Sequence, residues 1–137
     1  MNNNELIKLA IIAMKNAYAP YSKYMVGAAL LSKSGRVYTG TNVENASFGC
    51  TNCAERTAFF KAVSEGEREF LKIAIVGCKK GEITDFATPC GVCRQVMSEF
   101  CDDNFEVIVA LSEQDFKVFT LAQLLPFGFC KDNIDKV

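Results

Sequence analysis

Apolar residues recur at helical spacing between Asn3 and Tyr18, with Lys8 and Lys15 interspersed, and Pro20 closes the run. The spacing predicts an amphipathic helix over residues 3–18. The period then changes: "VGAALLSKSGRVYTGTNV" predicts two strands, Val26 to Leu31 and Arg36 to Asn42, around a turn at Ser34 and Gly35. From Cys53, "CAERTAFFKAVSEG" places Ala58, Phe59, Ala62 and Val63 on one face and meets Gly66, which predicts a second helix. "FLKIAIVGC" is nearly continuous in apolar residues, as expected of a strand buried on both faces, with a turn from Lys79 to Gly81. A third helix is expected from Pro89 or Cys90 through "GVCRQVMSEFC". "FEVIVAL" predicts a further strand, and "KVFTLAQLLPF" a short strand and a last helical turn broken at Pro126. Helices alternating with strands around an apolar central run predict an α/β fold of three layers, an α/β/α sandwich.

Half of the 137 residues are hydrophobic, enough for one core, and there is no repeat, linker or low-complexity stretch, so residues 1–137 are expected to form a single domain. The formal net charge of −1, with Lys and Arg scattered, provides no basic footprint for nucleic acid or an anionic membrane. A small-molecule partner is expected instead. The first helix lacks the basic and apolar regions of a secretory signal, and no apolar run nears the roughly 20 residues of a membrane span. A cytoplasmic protein is the expectation.

Seven cysteines is a high and odd count, better matched to reduced thiols and metal binding than to a disulfide framework. Histidine is absent, so a transition-metal site must use thiolates and carboxylates. Cys50, Cys53, Cys90 and Cys93 form two C-x-x-C pairs, a fair match to a closed structural zinc site. A different subset, Cys53, Cys90 and Cys93, would leave a fourth position for water. Three features favour it. Cys53 and Cys90 stand at predicted helix starts, where backbone N–H groups stabilise thiolates, whereas Cys50 lies in a loop upstream. Glu55 follows Cys53 by two residues and can carry protons for a hydrolytic step, for which a structural zinc has no use. Arg56, three residues after Cys53, shares its helical face and can offset the excess charge of three thiolates. Cys50, Cys78, Cys101 and Cys130 are expected to be small buried apolar residues. A redox pair at Cys90 and Cys93 is disfavoured by the third cysteine and the glutamate beside it.

C-A-E at Cys53–Glu55 and P-C-x-x-C at Pro89–Cys93 resemble the three-cysteine variant of the zinc deaminase signature, whose glutamate is not a ligand. Beyond these motifs, "YAPYSKYMVGAAL", "NVENASFGCTNCAERTAFFKAVSEG", "TPCGVCRQV" and "LLPFGF" are similar, in order and over nearly the whole chain, to the small homotetrameric cytidine deaminases. The resemblance implies a mixed five-stranded central sheet and one zinc ion per chain. It also implies hydrolysis of cytidine and deoxycytidine to uridine and deoxyuridine with release of ammonia, in pyrimidine salvage. By the same resemblance Asn42 and Glu44 bind the ribose hydroxyls, and the Ala54 backbone and Glu55 hold the pyrimidine edge. Tyr24 would line the ring, and Phe129 would pack on it from a neighbouring subunit of a tetramer with shared active sites. The chain departs from the family at Tyr24, where phenylalanine is common, at Met25, where proline is common, and at Phe48, often tyrosine. Tyr24 keeps an aromatic ring; Phe48 gives up a hydroxyl. Three alternatives are disfavoured. An antibiotic deaminase of the blasticidin type has no use for a ribose-binding "NVEN", a nucleic-acid editor needs a basic groove, and a non-catalytic zinc module needs Cys50 as a ligand.

Overall fold

The computed structural model describes residues 1–135, so the expected single domain over 1–137 extends two residues beyond them. Helix α1 spans Asn3–Met14 and begins with a reciprocal cap: the Asn2 side chain accepts from the Glu5 N–H, and the Glu5 carboxylate accepts from the Asn2 N–H. It stops four residues earlier than the apolar spacing predicts. Tyr18 is drawn into a parallel bridge with Val43, its N–H donating to the Asn42 carbonyl and its carbonyl accepting from the Glu44 N–H. That pairing requires extended backbone, so the helical period past Met14 is overridden by a long-range contact.

Strands β1 (Tyr24–Ser32) and β2 (Val37–Thr41) form the expected antiparallel hairpin. Helix α2 (Ala54–Ser64) ends at Gly66, whose φ of 101° is the left-handed conformation that closes a helix with bonds from Gly66 N–H to Val63 and from Glu67 N–H to Ala62. Strand β3 (Phe70–Lys79) pairs with β1 antiparallel; α3 (Gly91–Phe100) then crosses over to β4 (Glu106–Ala110), which lies parallel to β3. Strand β5 (Phe116–Thr120) pairs antiparallel with β4. The sheet order is β2-β1-β3-β4-β5, the mixed five-stranded sheet that the resemblance implies. Two short helices end the described chain: α4 (Leu121–Leu124), the anticipated last turn, and α5 (Lys131–Asp135), which no spacing in the sequence announces.

The two faces of the sheet bury different partners, as the alternation of side chains along a strand requires. Ala29, Leu31, Ala74, Val76, Ile108 and Ala110 pack against Leu6, Ile7, Ala10 and Met14 of α1. Ala28, Leu30, Ile73, Ile75, Val107 and Val109 pack on the other face against α2 and α3 through Ala54, Ala58, Phe59, Cys93 and Met97. Three layers result. The α2 layer comes very close to the hairpin at Gly40, where an added Cβ would meet the Ala54 carbonyl and lie 2.6 Å from the Ala58 nitrogen. Gly40→Ala must therefore push α2 off the sheet. It is expected to destabilise the fold by about 3 kcal/mol, read as a lowered midpoint in urea unfolding with an unchanged slope.

The cysteines expected to be buried divide. Cys78 is buried on β3, Cys101 and Cys130 are half-buried, and Cys50 is exposed. Cys50 lies in a short 3-10 turn, Phe48–Cys50, within a loop whose ends are pinned by the Val43–Asn52 bridge. With both ends held, the stretch between bulges away from the core.

Candidate active site

Cys53 is the N-cap residue of α2, and Cys90 that of α3, so both thiols sit where unpaired backbone N–H groups gather. Pro89 lies outside α3, just before its cap, rather than in its first turn. Cys93, one turn into α3, falls on the same face as Cys90 and is buried. The sulfur atoms of Cys53, Cys90 and Cys93 all lie within 4.8 Å of one another, with 3.7 Å between those of Cys53 and Cys90. Thiolates about 2.3 Å from one tetrahedral zinc lie about 3.8 Å apart, so this donor set fits that ion. Among the described residues no other group of three such side chains meets this closeness, and Cys50 is not part of this one.

Arg56 donates from Nη2 to the Cys53 sulfur at 3.3 Å. Burial works against its charge, and bonds to the Cys53 and Cys93 sulfurs overcome this and raise its pKa. A hydrogen bond from the Cys93 thiol, with further ones from Arg56 and Cys90, brings the Cys53 thiol down to about 5; the same bond and burial push Cys93 up. Cys53 thus becomes a thiolate more readily than Cys93.

Glu55 is only 4% exposed, and burial pushes its carboxyl up to about 7. Being the second residue of α2, it is carried inward by the packing of Ala54 and Ala58 on the sheet. Its side chain lines a cavity of about 490 Å³ together with Tyr24, Asn42, Glu44, Cys53 and Cys90. Ala54 also lines this cavity, at the first turn of α2.

Asn42 and Glu44 already have structural partners. The Asn42 carboxamide accepts from Val26 N–H at 2.9 Å and donates to the Tyr24 carbonyl at 2.8 Å, stitching the end of β2 to β1. One Nδ2 hydrogen is left over for a ligand. Glu44 accepts from the Tyr21 and Ser22 N–H groups and from the Ser22 hydroxyl; that hydroxyl above all holds its carboxyl below the usual range. Burial raises the Tyr24 pKa, so its phenol stays protonated at neutral pH.

Phe129 does not line this cavity; its side chain is exposed at the C-terminal end of the described chain. Sequence reasoning missed Phe86, Ala87 and Thr88, which form part of the wall. Their signal was adjacency to Pro89 and Cys90, since the backbone leading into an N-cap that carries a thiol of the cluster must pass along the site. Lys117 covers the Phe86 ring at 4.7 Å from its centroid, fixing that wall from β5.

Three converging thiols, an arginine bonded to one of them and a buried carboxyl opening on a cavity define a metal-dependent hydrolase site. A family model described as the cytidine and deoxycytidylate deaminase zinc-binding region matches residues 1–109. A cytidine deaminase of Halalkalibacterium halodurans is 47% identical over 98% of this chain and 99% of its own length. One from Sporosarcina psychrophila is 46% identical, over 98% of this chain and 96% of its own. The crystal structure of cytidine deaminase from Burkholderia pseudomallei superposes with a TM-score of 0.86 at 46% identity, covering 94% of this chain and all of that one. The chain belongs to the cytidine and deoxycytidylate deaminase family.

Proposed function

We propose that this protein is a cytidine deaminase, a single catalytic domain over residues 1–137 that hydrolyses cytidine and 2′-deoxycytidine to uridine and 2′-deoxyuridine with release of ammonia. The observation that carries the reading is the convergence of Cys53, Cys90 and Cys93 beside a buried Glu55 that opens on the cavity. Cys53, Cys90 and Cys93 would hold the zinc. When bound, zinc supplies Lewis-acid activation of water near neutral pH. Glu55 holds and moves the protons: its carboxylate takes one from water and delivers it to N3 of the pyrimidine, then takes the proton of the hydroxyl added at C4 and gives it to the 4-amino group, which departs as ammonia while the C4 carbonyl forms. A carboxyl raised to about 7 both accepts and donates near neutrality, as this double duty demands. Arg56 neutralises part of the thiolate charge, and the backbone at Ala54 meets the pyrimidine edge beside Glu55.

Glu44 and the remaining Asn42 hydrogen meet the ribose, and Tyr24 lines the base. Phe129 closes the cavity of a neighbouring subunit in a homotetramer. Exposed Phe48, Phe127 and Phe129 support this assembly, since three large rings left in water would cost several kcal/mol that burial between subunits recovers. Free cysteines and a scattered charge pattern support work in the cytoplasm, on a nucleoside of the salvage route and not on nucleic acid or a membrane. Among the described residues no helix is long and apolar enough to cross a membrane.

The test is loss of cytidine absorbance near neutral pH, with zinc measured on the same sample. About one zinc per chain with turnover supports the reading; stoichiometric zinc without turnover on cytidine or deoxycytidine refutes it. Cys50→Ser is expected to keep zinc and turnover unchanged, because Cys50 is exposed and outside the thiol cluster. Zinc lost from that variant would instead point to a closed four-thiolate site.

A further inference from the structure

Two neighbouring side chains of α3, one part-buried and one exposed, reach across to the C-terminal segment. Arg94 donates from Nε to the Pro89 carbonyl at 2.8 Å and from Nη1 to the Leu124 carbonyl at 2.7 Å. Gln95 donates from Nε2 to the Phe129 carbonyl at 2.7 Å. Pro89 is fully buried and immediately precedes Cys90; Leu124 ends α4; Phe129 bears the exposed ring. All three acceptors are main-chain atoms, so these bonds set the path of the backbone and not one rotamer.

We propose that Arg94 and Gln95 are positioning residues that clamp the Leu124–Phe129 turn to the loop carrying Cys90, and so set where the Phe129 ring is presented to a neighbouring subunit. The proposal rests on the reading that Phe129 closes a neighbour's cavity. Neither Arg94 nor Gln95 lines the cavity of its own chain, so they act through the segment they hold. The guanidinium fork is suited to this because it satisfies two diverging carbonyls with one rigid plane.

A second observation shows that the turn is held rather than relaxed. Between the two anchors Phe127 has φ of 56°, in the left-handed region that side chains other than glycine rarely adopt, while its ring is fully exposed. A backbone in that conformation persists only when its surroundings over-determine it. No packing of the Phe127 ring does so here; bonds at Leu124 and Phe129, on either side, do. The clamp also makes the metal loop of one subunit and the ring it lends to another parts of a single unit.

Steady-state kinetics on cytidine with the zinc-loaded enzyme test the clamp. Gln95→Glu keeps the length of the side chain and removes its N–H donors. It is expected to raise KM about fivefold, the equivalent of one lost hydrogen bond, with kcat and zinc content held. In a Phe129→Ala background, which itself raises KM, the same substitution is expected to add nothing further. An equal rise in both backgrounds would overturn the clamp, because Gln95 would then act independently of Phe129. An unchanged KM in Gln95→Glu, beside a raised one in Phe129→Ala, would overturn the clamp and leave the neighbour's role of Phe129 standing. An unchanged KM in Phe129→Ala would remove that role, and the proposal with it.

Discussion

Glu55→Gln is expected to retain about one zinc per chain while kcat on cytidine falls by about 10²–10⁴-fold, the usual worth of a positioned proton carrier. The substitution is nearly isosteric, so the wall of the cavity formed with Cys53 and Cys90 keeps its shape. The amide can still donate and accept hydrogen bonds to the pyrimidine edge, so substrate binding is expected to change far less than turnover. It cannot take a proton from water and pass it on. Burial opposes the charge on Glu55, and the neutral amide removes that cost, so the fold is expected to be no less stable. Zinc analysis, thermal melting and initial rates on one preparation separate these effects. Turnover within a few-fold of the parent would exclude Glu55 as the proton carrier.

Cys53→Ala is expected to lose both zinc and turnover, with residual activity at background. Cys53 occupies the N-cap of α2, receives a bond from Arg56 and lies 3.7 Å from the Cys90 sulfur, so its removal takes away a thiol whose surroundings favour ionisation. Two thiols then remain, one of them Cys93, whose burial still disfavours ionisation. The Arg56 guanidinium is left facing the gap with one of its two sulfur partners gone; its Nε already lacks a hydrogen-bond partner among the described residues. Added zinc is not expected to restore activity, in contrast with a chelated parent enzyme. A Cys53→Ala protein that carried a full zinc complement and turned over cytidine would remove Cys53 from the ligand set. The contrast with Cys50→Ser matters here, since both are the cysteines of one C-x-x-C pair and only their surroundings distinguish them.

Much of this was legible along the chain because it depends on neighbours in sequence. The hairpin of β1 and β2, the double-sided apolar run of β3 and the closing glycine after α2 are consequences of local side-chain pattern and backbone sterics. The placing of Cys53 and Cys90 at helix starts, with Glu55 and Arg56 one turn or less beyond Cys53, is likewise local. Residues 15–18 were misread because their partner, the segment from Asn42 to Glu44, lies more than 20 residues away. The same distance hides the full duties of Asn42, whose amide is largely spent on joining two strands.

What the sequence by itself determined, then, is the set of elements and the identity of the chemical groups: three thiols with ligand spacing, one carboxyl and one guanidinium. The sequence already favours leaving Cys50 out; tertiary structure supplies the separation itself. Cys50 and Cys53 are equivalent as a motif, but the Val43–Asn52 bridge turns the loop of Cys50 to solvent, while the packing of α2 on the sheet turns Cys53 inward. It also decided that Glu55 is buried. Local spacing can aim a side chain from a helix, but only the sheet beneath that helix removes the water around it, and that removal brings the carboxyl to about 7.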